Sequence, residues 1–298
     1  MQGGSGKLRR LLFGLIAALA CAGTAPGADV GINVLSTHVW DMPQPWFGGF
    51  SGMEVSENGE TLTLITDRGS LVTARLTRVD GSITEARVLS RKALRHRNGQ
   101  IIKGSVRDAE GLAIGTDGRA YVSFENRHRV ALLDLRTGIT RSLPAHPDFE
   151  GFPVNGGLEA LAVHPDGRLI TLAEQGAQSD GSIPLYSFQE GRWRISHHLP
   201  SRGPFLPVGA DIDAQGRLYL LERAVTPLGF RSRLRRFHLD VPNPVAETLF
   251  TSIPGSYDNL EAVAVWSDPE GRTRLLLMSD DNFLPFQRTE IVEVVLTE

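Results

Sequence analysis

Cysteine is almost absent from this 298-residue chain, because Cys21 is its single copy. No disulfide framework can therefore form within one chain. A surplus of positive charge is also missing, since 31 Lys and Arg residues stand against 34 Asp and Glu residues and give a net charge of −3. Such a chain presents no overall basic field to a polyanion, and we expect no nucleic-acid partner.

Long hydrophobic runs are absent too. The apolar segment Leu11–Ala20 has ten residues, whereas a membrane-spanning helix needs about 20. It follows a basic segment and ends in the small-residue pattern Ala18-Leu19-Ala20, which is typical of a cleavage site. We predict that residues 1–28 are a signal peptide and that residues 29–298 are periplasmic or secreted. Membrane contact would come only through the uncleaved leader or a lipid on Cys21; a cytoplasmic chain with an apolar N-terminus is the alternative.

A hairpin pattern is present instead, and it recurs five times. In one copy, apolar residues 159–163 and 168–173 flank the turn His164-Pro-Asp-Gly167, in which Pro fixes φ and Gly tolerates a positive φ. Equivalent positions lie 49 to 59 residues apart. A repeat near 50 residues with strand-like units indicates an all-β protein of the β-propeller type. The five copies cover residues 51–67, 110–125, 159–174, 209–222 and 261–280.

Two further strand-like runs follow each of the first four hairpins, which predicts four-stranded blades. The last repeat lacks one strand, and Asn33–Trp40 supplies it. We therefore expect the N-terminal strand to close the ring against the C-terminal strand Glu290–Leu296. The count of blades is five, with a sixth as an alternative around Arg91–Ser105. The chain after the leader, residues 29–298, is predicted to be a single domain.

Acidic residues stand at the same two places in these repeats: at the start of the first strand and directly after the second. The strands of a hairpin are antiparallel, so these two places share one end of the blade. If the first strands line the axis, the carboxylates surround one mouth of the central channel. The eight residues are Asp67, Glu110, Glu125, Glu159, Glu174, Glu222, Glu261 and Asp280.

A ring of carboxylates suits a hard cation, and calcium fits best because the repeats put no His or Cys at this mouth. Alternatively, the acids are solvated or paired with neighbouring arginines. Arg68 and Arg223 directly follow two of the acids, and they either hold an anionic substrate or neutralise a carboxylate. Asn126, Asp281 and Asn282 occupy similar places after the second strand, where we expect them to meet a ligand.

The repeats also resemble the phytase-like proteins of bacteria, described as having esterase-like activity of phytase. The motifs that carry the resemblance are Phe50–Glu54, Asp108–Ala113, Gly157–Ala162, Asn259–Ala264 and Met278–Phe283. It extends over residues 33–298 and implies a secreted propeller with hydrolytic activity; the related β-propeller phytases bind several calcium ions and hydrolyse inositol hexakisphosphate. Individual motifs also look like those of calcium-dependent lactonase propellers. The fourth repeat has Val208 in place of the family's Glu, which is a departure from the pattern.

The sequence contains neither of two common catalytic motifs that would identify the reaction: it has no Gly-x-Ser-x-Gly elbow and no phosphate-binding loop. We expect a monomeric, calcium-dependent hydrolase of a small-molecule ester, with phosphoesters placed first. The alternatives are a non-catalytic propeller that binds a ligand or partner, and a lactonase-type ester hydrolase.

Overall fold

The structure, a computed structural model, describes residues 31–297. The predicted signal peptide, residues 1–28 with Cys21, lies outside the described residues. The first ten strands are β1 (Gly31–Val39), β2 (Phe50–Val55), β3 (Thr61–Thr66), β4 (Ser70–Val79), β5 (Ser82–Ala93), β6 (Ala109–Ile114), β7 (Ala120–Phe124), β8 (Arg129–Leu133), β9 (Thr140–Ser142) and β10 (Leu158–Val163). The other ten are β11 (Leu169–Ala173), β12 (Ser182–Gln189), β13 (Arg192–Pro200), β14 (Leu206–Ile212), β15 (Arg217–Thr226), β16 (Gly229–His238), β17 (Glu247–Thr251), β18 (Asn259–Ser267), β19 (Thr273–Asp280) and β20 (Glu290–Thr297). Two short 3-10 helices, Ser105–Arg107 and Pro147–Gly151, lie in the connections.

These strands form five antiparallel sheets of four strands each, in the orders β2-β3-β4-β5, β6-β7-β8-β9, β10-β11-β12-β13, β14-β15-β16-β17 and β18-β19-β20-β1. The first strands β2, β6, β10, β14 and β18 contact one another in succession around a closed ring. The predicted β-propeller is thereby confirmed, and each predicted hairpin supplies the two inner strands of a blade. The segment proposed for a sixth blade instead makes isolated bridges from Arg95 to Ile101 and to Ile139, so the described residues contain five blades.

The fifth blade joins the two ends of the described chain. Strand β1 pairs with β20 from Gly31 opposite Thr297 to Val39 opposite Glu290, which confirms the predicted closure. The next residue, Trp40, is buried and stacks on Phe50 of the first blade, with ring centroids 5.4 Å apart. The closing strand is therefore anchored to both of the blades that it connects.

Apolar side chains fill the spaces between neighbouring blades. Met53 and Leu64 of the first blade pack in one cluster with Met278 and Ile291 of the fifth. Near the axis the inner strands come so close that small residues are needed: a Cβ on Gly111 would lie 2.6 Å from the carbonyl oxygen of Glu159. Such close approach of two backbones is a place where glycine is required. Among the described residues, no helix is both long and apolar enough to cross a membrane.

Candidate functional site: the acidic mouth of the channel

A β-bulge interrupts the first strand of every blade at the position where the acidic residues stand. In β10, Leu158 pairs with Ala173 and Ala160 pairs with Leu172, so that Glu159 is the extra residue. The irregularity falls at Glu261 in β18 and includes Glu110 in β6. Bulges re-aim side chains and are common beside functional sites. The repeated bulge explains how glutamates from three separate blades leave their sheets and meet at the mouth.

The raised pKa values of these glutamates show that they lie close to one another. Burial raises the pKa of Glu110 well above its usual value, and the charges of Glu159, Asp108, Glu261 and Glu125 raise it further. The pKa of Glu159 is raised in the same way, first by burial and then by Glu174, while Arg223 opposes the shift. Carboxylates from several blades therefore share one region of low solvent access, where each destabilises the charged form of the others.

Three of these carboxylates form the tightest group. One oxygen each from Asp108, Glu110 and Glu125 can be chosen so that all three lie within 4.8 Å of one another. The group, which we call the acidic triad, is held in place by its neighbours: Asn126 Nδ2 donates to Asp108 Oδ2 at 2.7 Å. Glu125 Oε1 accepts from the backbone N–H of Gly156 and Gly157 at 2.5 and 2.7 Å. A donor set made of carboxylate oxygens suits Ca²⁺.

Asp67 lies beside the triad and has an unused oxygen. Its Oδ1 is buried and has no hydrogen-bond partner among the described residues. Burial, and then the charge of Asp108, raise the pKa of Asp67 to about 7, although Arg68 acts in the opposite direction. The exposed guanidinium of Arg68 stacks on the Phe283 ring, 3.1 Å from Cζ to the centroid. A buried, unpartnered carboxylate oxygen and an exposed arginine are thus neighbours at the edge of the mouth.

The opposite half of the mouth is neutralised by Arg223. This side chain donates to Glu174 Oε1 at 2.7 Å and to Asn259 Oδ1 at 2.8 Å, and it also contacts Glu261 Oε1. The carboxylates raise the pKa of Arg223 despite the opposing effect of burial. The mouth therefore has a paired half around Arg223 and an unpaired half that contains the acidic triad and Asp67.

The sequence that forms this ring also matches a known family. The profile of the phytase-like family, described as "Esterase-like activity of phytase", matches residues 45–283. The chain belongs to the phytase-like family. The matched span runs from the segment before β2 to the loop after β19, and it includes the acidic triad, Asp67, Arg68 and Arg223.

One solved structure agrees with the phytase-like chain in fold at a TM-score above 0.5. The PQQ-bound form of an aldose sugar dehydrogenase from Streptomyces coelicolor has 15% identity over 92% of this chain and 100% of that chain, with a TM-score of 0.51. A gluconolactonase from Xanthomonas campestris has 15% identity over 82% of this chain and 72% of that chain, with a TM-score of 0.45. At such identities the likeness concerns the architecture alone. No curated protein matches the sequence.

Glu222 differs from the other seven acids that the sequence assigned to the mouth of this phytase-like chain. It is fully buried inside the fourth blade, where Arg233 Nε donates to it at 2.7 Å and Arg235 Nη2 at 2.6 Å. Both of its oxygens are therefore engaged by arginines of β16. We remove Glu222 from the candidate metal ligands for this reason, and we remove Arg223 from the candidate substrate-binding groups because it is paired with carboxylates.

The three ligand-binding residues predicted from the sequence lie in different surroundings, and only one of them is next to the acidic triad. Asp281 accepts from the backbone N–H of Gly49 and Phe283, both at 3.0 Å, so it fastens a loop. Asn282 is exposed, and its backbone N–H donates to Asp280 Oδ1 at 2.7 Å. Asp280 itself lies with the mouth acids, since burial and then Glu261 raise its pKa well above the usual value. Asn126 alone of the predicted set contacts the acidic triad.

Asp108 is the site residue that sequence reasoning missed. It directly precedes β6 and lies two positions before Glu110. Asn259 holds the same place relative to Glu261 and donates to it at 2.8 Å. A polar residue two positions before the repeat glutamate, found in two of the five blades, was the available signal.

Proposed function

We propose that this protein is an exported, monomeric, calcium-dependent hydrolase of small anionic esters, with phosphoesters placed first, and that the unpaired half of the mouth is its active site. The observation that carries the proposal is the acidic triad next to a buried, unpartnered oxygen of Asp67. Several carboxylates with raised pKa values in one buried group indicate a functional site more often than a purely structural one.

The acidic triad would hold the calcium ion. Its three residues supply only oxygen atoms, and burial raises the pKa of each. The charge of Asp108 further raises the pKa values of Glu110 and Glu125, and a cation relieves that repulsion. Asn126 and the N–H groups of Gly156 and Gly157 keep two of the three carboxylates in place without the ion. When bound, Ca²⁺ supplies Lewis-acid polarisation of an ester oxygen and lowers the pKa of a coordinated water.

Asp67 is the proposed general base. A base works best when its pKa lies near the operating pH. In the metal-free protein, burial and then the charge of Asp108 raise the pKa of Asp67 to about 7, and a cation at the triad would lower it from there. Oδ1 is buried and has no hydrogen-bond partner among the described residues, so it has a lone pair for the proton of an attacking water that enters beside it. The same carboxyl then returns the proton to the leaving alkoxide, which balances the hydrolysis of the ester bond.

Arg68 is the proposed anchor for the anionic part of the substrate. It is exposed and follows Asp67 directly, and the Phe283 ring supports the face of its guanidinium. Two parallel N–H groups on that guanidinium match two oxygens of a phosphate. Arg223 has a different role in this scheme, since it pairs with Glu174 and Glu261 and holds them in place.

Hydrolysis of a panel of substrates tests the proposal. We expect the protein without its leader to cleave an aryl phosphate in the presence of Ca²⁺ and to lose this activity in a chelator. An aryl carboxylate ester and a lactone, measured in parallel, distinguish phosphoester from carboxylic-ester chemistry. If calorimetry finds no Ca²⁺ binding at millimolar concentration, the calcium-dependent mechanism is rejected. A non-catalytic, ligand-binding propeller is then the favoured hypothesis.

Two matched substitutions separate the proposed roles. Asp67→Asn should lower kcat by 10²-fold or more, the range expected for loss of a general base, while Ca²⁺ affinity stays within a few fold. Glu110→Gln should weaken Ca²⁺ binding and hydrolysis together. Glu57→Gln is the control, because Glu57 is exposed at the opposite end of the channel. Equal losses in all three variants would contradict the assignment.

A further inference from the structure

The end of the channel opposite the acidic mouth opens into a cavity of about 530 Å³, which we call the far cavity. Residues from all five blades line it. Between the two ends, the inner strands leave a space of only about 10 Å³, bordered by Gly52, Gly111 and Gly209 among others. A molecule in the far cavity is therefore separated from the acidic triad and Asp67.

A collar of β-branched side chains forms the wall of the far cavity. Each blade contributes one of them from the same place in its first strand: Val55, Ile114, Val163, Ile212 and Val265. The indole of Trp266 adds a flat aromatic surface beside this collar. A concave site with apolar walls favours a ligand that has an apolar body.

Two acids interrupt the repeat directly before this collar. The preceding position is alanine in three blades, at Ala113, Ala162 and Ala264, but it is Glu54 in the first blade and Asp211 in the fourth. The three alanines show that the fold requires only a small side chain at this place. The two carboxyl groups are therefore not imposed by the repeat.

Both acids reach the backbone of the next blade. Glu54 Oε1 accepts from the N–H of Ile114 at 2.7 Å, and Asp211 Oδ2 accepts from the N–H of Val265 at 2.6 Å. Glu54 Oε2 has no hydrogen bond to any of residues 31–297. Burial raises the pKa of both acids, and the charge of Asp211 raises that of Glu54 further. Two blades that are not neighbours thus bring their carboxyl groups together at the axis.

The far cavity supplies no cationic partner for Glu54 and Asp211. Neither Lys nor Arg is among the described residues that line it, and His164 is its basic side chain. Asp213 also lines the wall, but it is paired with Arg217 at 2.6 Å. A buried carboxylate is costly unless it is paired, and a cation in the cavity would complete the missing pair.

Trp266 is a preformed part of the wall. Arg78 and Arg274 lie over its ring, with Cζ 5.7 and 5.6 Å from the centroid. Both arginines pair with Glu293, at 2.9 and 3.5 Å, so their charges are matched within the protein. The indole Nε1 is buried and has no hydrogen-bond partner within the described part of the chain. Unused donors of this kind need an explanation, such as a bound molecule or water that completes the hydrogen bonding.

We propose that the far cavity binds a small organic cation, an ammonium group on an apolar alkyl or cycloalkyl body. The ammonium group has three N–H donors, which suit the unpartnered oxygen of Glu54 and the neighbouring carboxyl of Asp211. The apolar body would pack against the collar and Trp266. The inference concerns binding at the end opposite the mouth, and it holds whether or not the mouth hydrolyses an ester.

Calorimetry with three probes of one shape tests the proposal. Cyclohexylammonium, cyclohexanol and cyclohexanecarboxylate share a body and differ in charge, and each is titrated at millimolar concentrations with a chelator present. We expect saturable one-to-one binding of cyclohexylammonium, at least tenfold weaker binding of cyclohexanol, and no binding of the carboxylate. Equal binding of cyclohexanol would mean an apolar cavity without cation recognition. Displacement by an equal concentration of potassium would mean a simple cation site, and no binding of the ammonium probe would equally overturn the proposal.

Substitutions then locate the site. Glu54→Gln and Asp211→Asn each remove one charge and should weaken cyclohexylammonium binding by roughly tenfold or more, the range for one charged hydrogen bond. Ala214→Trp, at an exposed position on the rim, leaves both carboxyl groups in place and should weaken binding by blocking the entrance. Full affinity in this variant would contradict the site even if the acid variants fail to fold.

Two controls separate this site from other acids of the protein. Asp117→Asn changes an exposed acid in a nearby turn that does not line the far cavity, and it should leave the affinity unchanged. Glu110→Gln, at the mouth, should also leave the affinity for cyclohexylammonium unchanged. Equal weakening in the Asp117 variant would mean diffuse electrostatic attraction. Weakening in the Glu110 variant would place the ammonium probe at the mouth, and either result would refute the proposal.

Discussion

The guanidinium of Arg223, on β15, contacts the carboxylate of Glu261, on β18, across the boundary between the fourth and fifth blades. The same guanidinium reaches Glu174 at the end of the third blade. One cation therefore joins three blades at the mouth. It also determines which carboxylates of the repeat remain unpaired and can hold a metal ion.

Arg223→Met should destabilise the protein by about 3 kcal/mol at pH 8, the usual size of the effect when one partner of a buried ion pair is removed. Near pH 5 the loss should be smaller, because the abandoned carboxylates can take up protons. Urea unfolding of the metal-free protein at the two pH values measures both. Arg192→Met, at an exposed position on β13, is the control. A loss of similar size in the control would contradict the role assigned to Arg223.

Glu110→Gln and Glu261→Gln should have opposite effects on the stability of the metal-free protein, although the two residues hold the same place in their repeats. The first substitution relieves repulsion, since burial and four neighbouring acids raise the pKa of Glu110. The second removes a partner of Arg223. Thermal unfolding in a chelator should therefore show a higher Tm for Glu110→Gln and a lower Tm for Glu261→Gln. A shift in the same direction would mean that Arg223 does not divide the mouth.

The far end of the channel should give the protein a measurable pH dependence. Burial raises the pKa of Asp211 to about 7. Burial also raises the pKa of Glu54 well above its usual value, and the charge of Asp211 raises it further. A carboxyl group whose pKa is higher in the folded than in the unfolded protein stabilises the fold at low pH. This stabilisation is fully present below the unfolded-state pKa near 4, and it is lost as the pH rises through the folded-state pKa of about 7. The free energy of unfolding should therefore fall between pH 4 and pH 8, by at most about 4 kcal/mol for Asp211.

Asp211→Asn should reduce this pH dependence by the contribution of Asp211, because the substituted side chain does not titrate, while the raised carboxyl groups of the mouth keep theirs. Asp117→Asn, at an exposed position in the second blade, should leave the slope as it is in the wild type. Urea unfolding at several pH values, with a chelator present throughout, measures the three slopes. An Asp211→Asn variant with the wild-type slope would place the titrating groups elsewhere.

Trp40→Ala should loosen the closure of the ring. Trp40 is 4% exposed, and it stacks on Phe50 and meets Phe47 edge-to-face at 5.0 Å. Large-to-small substitutions of this kind cost about 3–5 kcal/mol. Hydrogen exchange should show the largest loss of protection in β1 and β20. Trp40→Phe retains a stacked ring and serves as the comparison; protection lost evenly over all five blades would argue against a local role in closure.

Local patterns were sufficient to predict the fold, since strand alternation and turn residues recur in each blade. The site was predictable only in part, because its chemistry depends on partners that are distant in sequence. Glu125 and Glu222 occupy the same place in their repeats, yet Arg235 lies against Glu222 and no arginine pairs with Glu125 among the described residues. The two acids of the far cavity, Glu54 and Asp211, likewise stand where the other three blades have alanine. No repeat pattern predicts those two residues.

The pairing of β1 with β20 has a consequence for the order in which the chain folds during synthesis. The ring cannot close until the last strand has emerged, because Glu290–Thr297 sits between β19 and β1. Until then β1 and β19 both expose unpaired edges, and Glu261 and Asp280 are not yet held against the first blade. A chain that is synthesised from its N-terminus therefore remains open until β20 is available. It acquires a complete acidic mouth only after β20 has paired with β19 and β1.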